Sequence, residues 1–527
     1  MIRMGLHGFI AALLFLLAVP AGARTLRYAS QDDPQTLDPH SANLLSTSRV
    51  TAQIYDPLVW RDKDWKIIPW LAVSWSQLNE KEWRFRLREG VKFHDGSPFS
   101  ADDVVFSVER ALAPTSQTRA TIQNVIAARK IDNFTVDLVL REPNPALLSH
   151  LTYFRIMSKA WCVRNQATLP QNYTAKEDTF AARHTNGTGA FMVKEYQPDI
   201  KTVLTANPAW WGNQAGYNEG NFDEVILLPI KSNATRMAAL LSGEVDLVVD
   251  PAIPDVQRLK ATPDIRILEG AEMRVQYLAF DMFRDELLYA SVKGKNPFKD
   301  LRVRQAVAHA IDADAIRTKV MRGMAQPAGA IITPQIQGYS ADGNTRLPFD
   351  REKAKRLLSE AGYADGFNVT LDCGNIQPAA DICQAVAAML TQVGIRTTPN
   401  IVPQSAIFPK LEKYDTSFYL LSWGGGVTSD ALYTLQALLH SATGKGEGDF
   451  NMGRYSNPKM DELIRKIKIE SDMNRRNNLI REALLLSNAD LALLPIHQPF
   501  IPWAMRKNVS AWFSPVNTVY FFRARSD

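Results

Sequence analysis

The chain has 527 residues, with 60 lysines and arginines against 55 aspartates and glutamates and a net charge of +5. These charges are spread along the chain without a dense basic tract, which argues against a nucleic-acid partner. A chain of this length exceeds what one hydrophobic core usually serves, so at least two domains are expected.

The N-terminus has the pattern of a secretory signal peptide over residues 1–23. Arg3 precedes an apolar run from Phe9 to Val19, and Ala21-Gly22-Ala23 follows shortly after. A basic start, a short apolar core and an A-x-A site are typical of a cleaved export signal, and a spanning helix would need roughly 20 apolar residues. We therefore expect cleavage after Ala23. Since no cysteine stands near that site to carry a lipid anchor, we expect a periplasmic protein of a Gram-negative cell.

The next strong pattern is a predicted strand, turn and helix within residues 83–112. Apolar residues alternate with arginines over residues 83–88, as in a strand with one buried face. Asp95-Gly96 is a turn dipeptide. Ser100 and Asp103 then form a start like a capping box, and apolar residues follow at helical spacing. The segment predicts an α/β unit.

Strands and helices alternate through the rest of the chain, which favours an α/β fold with strand–helix–strand units. Gly362 follows one predicted helix as a C-cap. The pattern predicts strands over residues 134–140, 223–229, 245–249, 367–372 and 417–421, and helices over residues 235–242, 302–311, 350–361 and 379–393.

Three cysteines are present, and two of them are close in sequence. In an oxidising compartment Cys373 and Cys383 could close a short loop. The alternative is two buried thiols, with Cys383 on a helix face. Cys162 is expected to be a free, buried thiol.

Motifs for catalysis or metal binding are missing from the sequence. It contains no H-E-x-x-H, no paired metal spacing and no G-x-S-x-G. His94 and His309 are expected to be structural, and Gly187-Thr188-Gly189 lacks the Gly-Lys-Ser/Thr of a P-loop. We therefore predict a protein that is not an enzyme and has no cofactor and no metal site.

The strongest local candidate for a binding site is the glycine-rich segment after the predicted strand at residues 417–421. Glycines allow a close approach of backbone to a ligand and leave N–H groups free, and a tryptophan offers a flat apolar face. The alternative is a plain glycine-rich turn with a core tryptophan. The candidate ligand contacts in this segment are Trp423, Gly424, Gly425, Gly426, Thr428 and Asp430.

The chain resembles the extracytoplasmic solute-binding proteins, family 5, of dipeptide, oligopeptide and nickel ABC importers. The resemblance covers nearly the whole chain after the signal, and the blocks follow the order of the family. The blocks that carry it are TLDPH at 36–40, IYDPLV at 54–59, the segment at 83–112, GTGAFMVKEYQP at 187–198, NPAWWG at 207–212, SGEVDLV at 242–248, NPFKDLRVRQAVAHAID at 296–312, AGY at 361–363 and RYSNPKMDELI at 454–464.

The resemblance implies a two-lobed periplasmic clamshell of type II, similar to cluster C, that closes on its ligand. Lobe I would comprise residues 24–273, with an added subdomain at about 56–188, and lobe II residues 274–496. Residues 497–527 would return to lobe I. The crossovers are expected near residues 274–277 and 495–497. The implied partners are a small-molecule or peptide ligand and the ABC permease and ATPase complex of the inner membrane, with the binding protein itself a monomer.

The sequence departs from the family at the predicted ligand site. In peptide-binding relatives the loop carries an aspartate three residues after the tryptophan, which pairs with the ligand's α-ammonium, but Gly426 stands there in this chain. Asp430 is a candidate replacement. The arginine that meets the ligand carboxylate in dipeptide binders would fall around Asn375, where this sequence has none. Both charge anchors of the dipeptide site are thus missing from their expected positions.

Two further places are candidates for ligand contact. Tyr28, Ser30 and Gln31 follow the first strand and are expected at the cleft edge. Arg274 lies near the expected hinge, where a guanidinium can hold a carboxylate. A surface loop and an interlobe salt bridge are the alternatives for these two places. We predict capture of a peptide or peptide-like solute, with an opine, a glycoside or a metal chelate as alternatives and an exported hydrolase as a less favoured one.

Overall fold

The computed structural model describes residues 23–122, 124–375, 378–426, 428–444 and 447–527. The predicted signal peptide, apart from Ala23, lies outside the described residues. Within these ranges the chain forms the strands β1 Thr25–Ser30, β2 Val59–Arg61, β3 Ile67–Pro69, β4 Ala72–Asn79, β5 Glu82–Leu87, β6 Val125–Asp132, β7 Thr135–Leu140, β8 Phe191–Gln197, β9 Lys201–Ala206, β10 Glu224–Pro229, β11 Leu247–Val249, β12 Ile265–Ala271, β13 Arg274–Phe280, β14 Ala325–Pro327, β15 Phe367–Gly374, β16 Ile395–Val402, β17 Phe418–Gly424, β18 Leu494–Arg506, β19 Val509–Ser510 and β20 Arg525–Ser526.

The helices surround these strands. They are α1 Leu45–Ile54, α2 Ala101–Ala111, α3 Leu147–Leu151, α4 Lys159–Arg164, α5 Phe180–Arg183, α6 Trp211–Gln214, α7 Asn233–Ser242, α8 Ile253–Lys260, α9 Leu301–Ala310, α10 Ala313–Ala315, α11 Arg351–Glu360, α12 Ala379–Thr391, α13 Gln404–Glu412, α14 Ala431–Leu438, α15 Pro458–Ile469 and α16 Met473–Asp490. None of the helices in the described ranges is long and apolar enough to cross a membrane.

One long strand connects two halves of the main sheet. The strand order is β16-β15-β17-β13-β18-β11-β1-β10-β9-β8, and β12 and β14 also pair with β18. The first part of β18 pairs with β13 and β14, up to Pro499. From Phe500 onward it pairs with β12 and then β11. We call the half with β1 and β8–β12 lobe I, and the half with β13–β17 lobe II.

A second sheet stands apart from the main one. Its order is β4-β5-β7-β6, with antiparallel pairing throughout. On β5, Phe85 and Leu87 are buried while Arg86 between them is exposed, so the alternation predicted from the sequence is confirmed. Helix α2 packs on this sheet, and its capping box is formed because Asp103 Oδ2 accepts a hydrogen bond from the Ser100 backbone N–H at 2.9 Å.

Both faces of each lobe's sheet are covered by hydrophobic core. On β13, Leu278 and Phe280 belong to one core cluster of lobe II, whereas Tyr277 and Ala279 belong to the other. This split follows from strand geometry, in which successive side chains point to opposite faces. In lobe I the large cluster also includes the β4–β7 subsheet, and Ala29 of β1 lies in a smaller cluster on the opposite face. Lobe II thus has the apolar strands of a sheet buried on both sides.

The cysteine alternatives are resolved by the structure. Cys373 at the end of β15 and Cys383 in α12 form a disulfide. The bond spans the connection from β15 to α12. Cys162 is free and buried, as predicted, and burial raises the pKa of its thiol to about 12. A thiol with so high a pKa is unreactive at neutral pH.

Candidate functional site

Two adjoining cavities lie between the lobes. The larger has a volume of about 800 Å³ and the smaller about 330 Å³. Glu272, Arg274 and Asn517 line both of them, so the cavities are two halves of one cleft. Glu272 and Arg274 belong to the short passage from β12 to β13. The cleft therefore opens where the chain crosses between the lobes, at a volume typical of a small-molecule site.

Two glycines of the predicted loop line the smaller cavity. Gly424 ends β17 opposite Arg274 of β13. A Cβ at Gly424 would stand 3.4 Å from Arg274 Nη2, and one at Gly426 would stand 3.3 Å from Val516 Cγ1 and 4.0 Å from the Tyr153 hydroxyl. Gly424 and Gly426 thus form part of the cavity wall without side chains, and their close approach to a ligand stays a prediction.

Trp423 and Gly425 turn away from the cleft, into lobe II. The Trp423 indole donates a hydrogen bond to Thr434 Oγ1 at 3.0 Å, and its ring lies 5.2 Å from that of Tyr433. Gly425 donates its N–H to the Met273 carbonyl at 3.0 Å, and a Cβ there would meet Ile336 Cδ1 at 2.7 Å. For these two residues the structure agrees with the plainer alternative, a packed turn with a core tryptophan.

Asp430 is committed to a buried ion pair. Its two carboxylate oxygens accept hydrogen bonds from Arg476 at 2.7 and 2.8 Å, and the side chains are 2% and 0% exposed. Oδ1 also accepts the Leu432 N–H at 2.9 Å, which caps α14. Thr428 is buried beside it and accepts the Asp430 N–H. This geometry contradicts the hypothesis that Asp430 serves a ligand ammonium.

Arg274 lies in the cleft but is not free. Its Nε donates to Glu272 Oε1 at 2.9 Å and its Nη1 to Ser422 Oγ at 3.1 Å, while 41% of its side chain is exposed. Glu272 follows β12 of lobe I and Arg274 begins β13 of lobe II, so the contact bridges the crossover between the lobes, as in the alternative of an interlobe salt bridge. Arg274 therefore remains a candidate ligand contact whose charge is largely balanced by Glu272.

The prediction that three candidates follow the first strand is wrong for Tyr28 and Ser30, which belong to β1 itself, and correct for Gln31. Tyr28 is 2% exposed in the core of lobe I, with its ring edge-on to Phe521, and burial raises the pKa of its hydroxyl to about 12. Ser30 donates to the Asp32 carbonyl at 2.7 Å and is also buried. Gln31 lines the larger cavity. The expected position at the cleft edge therefore fits Gln31 alone.

Arg155 lines the smaller cavity and is a residue that sequence reasoning missed. It is 8% exposed, and its Nη1 is enclosed without a hydrogen-bond partner. Its guanidinium lies over the Trp60 ring, 5.4 Å from the centroid, and burial lowers its pKa. A lone arginine within the apolar run Phe154–Met157 was the available signal, because arginine is almost never fully buried unless it is paired.

His497 lines the larger cavity and was also missed. It is 1% exposed, and neither ring nitrogen has a hydrogen-bond partner. Burial lowers its pKa to about 4, and the charge of Arg346 acts in the same direction. His497 is therefore a neutral side chain at neutral pH, with both ring nitrogens unsatisfied at the border of the cleft.

Positive charge exceeds negative charge along the cleft. The smaller cavity is lined by one carboxylate, Glu272, and by two guanidiniums, Arg155 and Arg274. Four cations and three acids line the larger cavity, namely Arg236, Arg274, Lys319 and Arg322 with Asp250, Glu272 and Asp381. Among the described residues no group of three or more histidine, cysteine or acidic side chains could hold a metal ion.

The fold and cleft define a two-lobed binding protein, and comparison with known proteins gives its family. The chain belongs to the bacterial extracellular solute-binding proteins, family 5, whose model matches residues 66–446. This is a family of solute-binding proteins and not of enzymes, in keeping with the two-lobed α/β fold and the resemblance read from the sequence.

The similar proteins cover nearly all of the chain. Di/tripeptide-binding protein 2 of Pseudomonas aeruginosa is 27% identical over 542 residues, which span 97% of this chain and 96% of that protein. Heme-binding protein A of Haemophilus influenzae is 26% identical over 84% of this chain and 81% of its own length. The periplasmic binding protein DppA of Helicobacter pylori, solved with the peptide STSA, has a TM-score of 0.74 at 24% identity, covering 95% of this chain and 98% of that one.

Proposed function

We propose that this chain is the periplasmic binding component of an ABC importer and captures a peptide or peptide-like solute between its lobes. The observation that carries the proposal is the cleft itself. Its two cavities meet at Glu272 and Arg274, where β12 of lobe I passes into β13 of lobe II. A solute held there touches both lobes and favours the closed arrangement over the open one.

Two hinges follow from the strand pairing. We propose one at residues 271–274, between β12 and β13, and one at residues 499–500, where β18 changes partners. Each lies within a few residues of the crossover predicted from the sequence. Lobe I then comprises residues 24–273 and the C-terminal return, and lobe II the segment between the hinges. The β4–β7 subsheet, within residues 56–188, is the proposed subdomain of lobe I.

Peptides are the solute class that we favour, because a relative that matches most of the chain is named for peptide ligands. Di/tripeptide-binding protein 2 is named for such ligands, and it aligns over 97% of this chain. The proposed partners are the permease and ATPases of one importer, which would recognise the closed, monomeric binding protein. Export by the predicted signal peptide places this exchange in the periplasm.

A solute without a free ammonium is the second candidate, and one observation favours it. The sole carboxylate that lines the smaller cavity, among the described residues, is Glu272, and it is paired with Arg274. A buried ammonium without a carboxylate partner is strongly disfavoured. An opine, a glycoside or a metal chelate would avoid this cost. Heme-binding protein A, a relative over 84% of the chain, is named for a ligand that is not a peptide.

The experiment is recovery of the natural solute, followed by a measurement of closure. Protein purified from a periplasmic extract is denatured, and the released solute is identified by mass spectrometry. The solute is then titrated back by calorimetry, and small-angle scattering records the radius of gyration with and without it. We expect binding to reduce the radius. Identical scattering curves with the solute bound would contradict the two-lobe mechanism, and a cleaved solute after incubation would favour a hydrolase.

A matched pair of variants tests the location of the site. Gly424→Leu places a side chain in the smaller cavity, because a Cβ at that position already stands 3.4 Å from Arg274 Nη2. We expect binding to be lost while the unfolding transition persists. The control is Ser76→Leu, which adds the same side chain on the exposed face of β4, outside the cleft. Undiminished binding by Gly424→Leu would move the site out of the smaller cavity.

A further inference from the structure

The Arg155 guanidinium has no charge partner among the described residues. Only 8% of the Arg155 surface is exposed, and Nη1 makes no hydrogen bond. The acid that acts on it electrostatically is Asp56. That carboxylate is already used, because it accepts hydrogen bonds from the indoles of Trp70 at 2.7 Å and Trp211 at 2.9 Å and from the Thr188 hydroxyl at 2.9 Å.

The backbone around Arg155 is fixed although its side chain is unpaired. The Arg155 carbonyl lies 2.9 Å from His40 Nε2, and Ile156 donates its N–H to the Asp56 carbonyl at 3.0 Å. Arg155 also forms an isolated β-bridge with Pro57. The backbone of Arg155 is therefore fixed, and the buried guanidinium lies over the Trp60 ring, which reduces the ordering cost of binding.

A second buried donor, the Tyr153 hydroxyl, belongs to the same cavity lining. Tyr153 is two residues before Arg155, and both line the smaller half of the cleft. The Tyr153 hydroxyl is buried and makes no hydrogen bond of normal geometry, although the Ser429 side chain lies close enough to act on its pKa, and it lies 4.0 Å from the position of a Cβ on Gly426. Buried polar groups are nearly always hydrogen-bonded, so the Arg155 donor, with Tyr153 beside it, leaves room for an acceptor on a solute.

We propose that the smaller half of the cleft binds a carboxylate of the solute, held by the Arg155 guanidinium with the Tyr153 hydroxyl as a second donor. The proposal rests on the function proposed above and specifies the chemistry of the solute. A carboxylate matches the planar fork of arginine and accepts two hydrogen bonds at once. Glu272 is ion-paired with Arg274, whereas Arg155 forms no ion pair and the Asp56 carboxylate acts on it without a direct hydrogen bond. A solute carboxylate would give Arg155 an ion-pair partner, whereas a phosphate monoester carries up to two negative charges.

The first test compares matched probes. The peptide N-acetyl-Ala-Leu-Ala is titrated into the protein, once with a free C-terminal carboxylate and once as the C-terminal amide. The two probes differ only in that carboxylate, and neither has an N-terminal ammonium. We expect wild type to prefer the acid by about 10- to 100-fold, the range for a hydrogen bond to a charged group. Arg155→Gln should abolish the preference, while Arg86→Gln, at an exposed arginine of the subdomain, should keep it. Equal discrimination by Arg155→Gln would overturn the proposal.

The second test needs no ligand. An unpaired buried cation destabilises the empty protein, so Arg155→Met, which keeps an apolar contact on Trp60, should raise the melting temperature by about 1–3 °C. Sodium acetate should stabilise wild type more than Arg155→Met, relative to sodium chloride at equal ionic strength. A melting temperature lowered by several degrees in Arg155→Met, with no acetate effect, would make Arg155 a structural residue and refute the proposal.

The two tests also separate this inference from the proposed function. Failure of wild type to bind either tripeptide, together with the expected results for Arg155→Met, would count against peptides and support the carboxylate site. Tight binding of both tripeptides by Arg155→Gln, with an unchanged preference, would support peptide capture and refute the role of Arg155.

Discussion

Replacement of Asp430 by asparagine is expected to destabilise lobe II without removing a ligand contact. Asp430 caps α14, and its carboxylate forms two hydrogen bonds to Arg476 of α16 at 2.7 and 2.8 Å. Arg476 also donates a hydrogen bond from Nε to the Ile467 carbonyl at 3.1 Å. Asparagine can keep the cap, because its side-chain oxygen also accepts a hydrogen bond. It cannot neutralise the guanidinium.

The magnitude follows from the burial of the pair. Side chains that are 2% and 0% exposed gain little from solvent screening, and removing one partner of such a pair costs about 3–5 kcal/mol. We expect Asp430→Asn to reduce the free energy of unfolding of lobe II by that amount. The double variant Asp430→Asn/Arg476→Met should recover much of the loss, since no charge is then left buried and unpaired.

Urea denaturation followed by circular dichroism measures the change. The control is Asp178→Asn, which breaks an ion pair whose side chains are 69% and 54% exposed and should cost under about 1 kcal/mol. Calorimetry with a dipeptide panel gives the affinity of the folded fraction, which we expect to be unchanged by Asp430→Asn. An unfolding curve close to that of wild type, combined with a loss of dipeptide binding, would refute this reasoning and restore Asp430 as the ammonium partner.

Two further predictions concern the conditions under which the fold survives. Reducing the Cys373–Cys383 disulfide should lower the free energy of unfolding by about 2–3 kcal/mol, because the bond closes a loop with a sequence separation of 10 and so limits the entropy of the unfolded chain. Scanning calorimetry with and without reductant measures this change. Equal melting temperatures would contradict the prediction. Acidification from pH 6.5 toward 4 should destabilise the protein, because burial lowers the pKa of His40 and His497 to about 4 while unfolded histidines bind protons from about 6.5. The free energy of unfolding then falls by up to about 1.4 kcal/mol per pH unit for each histidine. Urea titrations at several pH values measure this pH dependence, and we expect it to be weaker in His497→Asn. An unchanged pH dependence would exclude His497 as a contributor.

Local patterns predicted most elements well because they depend on neighbours in sequence. The helix expected over residues 350–361 is α11, Arg351–Glu360, and Gly362 follows it with a positive φ of 86°. The strand expected over residues 367–372 is β15, Phe367–Gly374. In both cases the period of the apolar residues and a single capping or turn residue determine the element.

Elements that depend on distant partners were harder to predict. The family block ending at Ile464 gave no indication that α15 extends to Ile469 or that an 18-residue helix, α16, follows it. Strand β18 contains prolines and changes partners at residues 499–500, so neither its length nor its pairing in both lobes is visible in a local pattern. The backbone hydrogen bonds of such a strand are made with partners that are distant in sequence, so they become visible only in the tertiary structure.

The same distinction explains the candidate site. The glycines that line the cleft were found because a glycine-rich turn is a local signal. The charges were not, because the role of a charged residue depends on its partner. Asp430 follows the loop in sequence, but Arg476, 46 residues later, pairs with it inside lobe II. Arg155 looked like an ordinary arginine, and the structure alone shows that its Nη1 is buried without a hydrogen-bond partner.

Together these charges predict an electrostatic preference opposite to the one that the family resemblance implied for a peptide's ammonium. With Gly426 in place of the aspartate and Asp430 neutralised by Arg476, the smaller cavity has no free carboxylate among its described lining residues. Arg155, which lines the same cavity, forms no ion pair, and its Nη1 makes no hydrogen bond. On the proposal above, an ammonium in this half of the cleft would be repelled by Arg155, while a carboxylate would pair with it. The proposed carboxylate site therefore predicts that the smaller half of the cleft favours a solute that enters by an anionic group, whether a peptide's C-terminus or another acid.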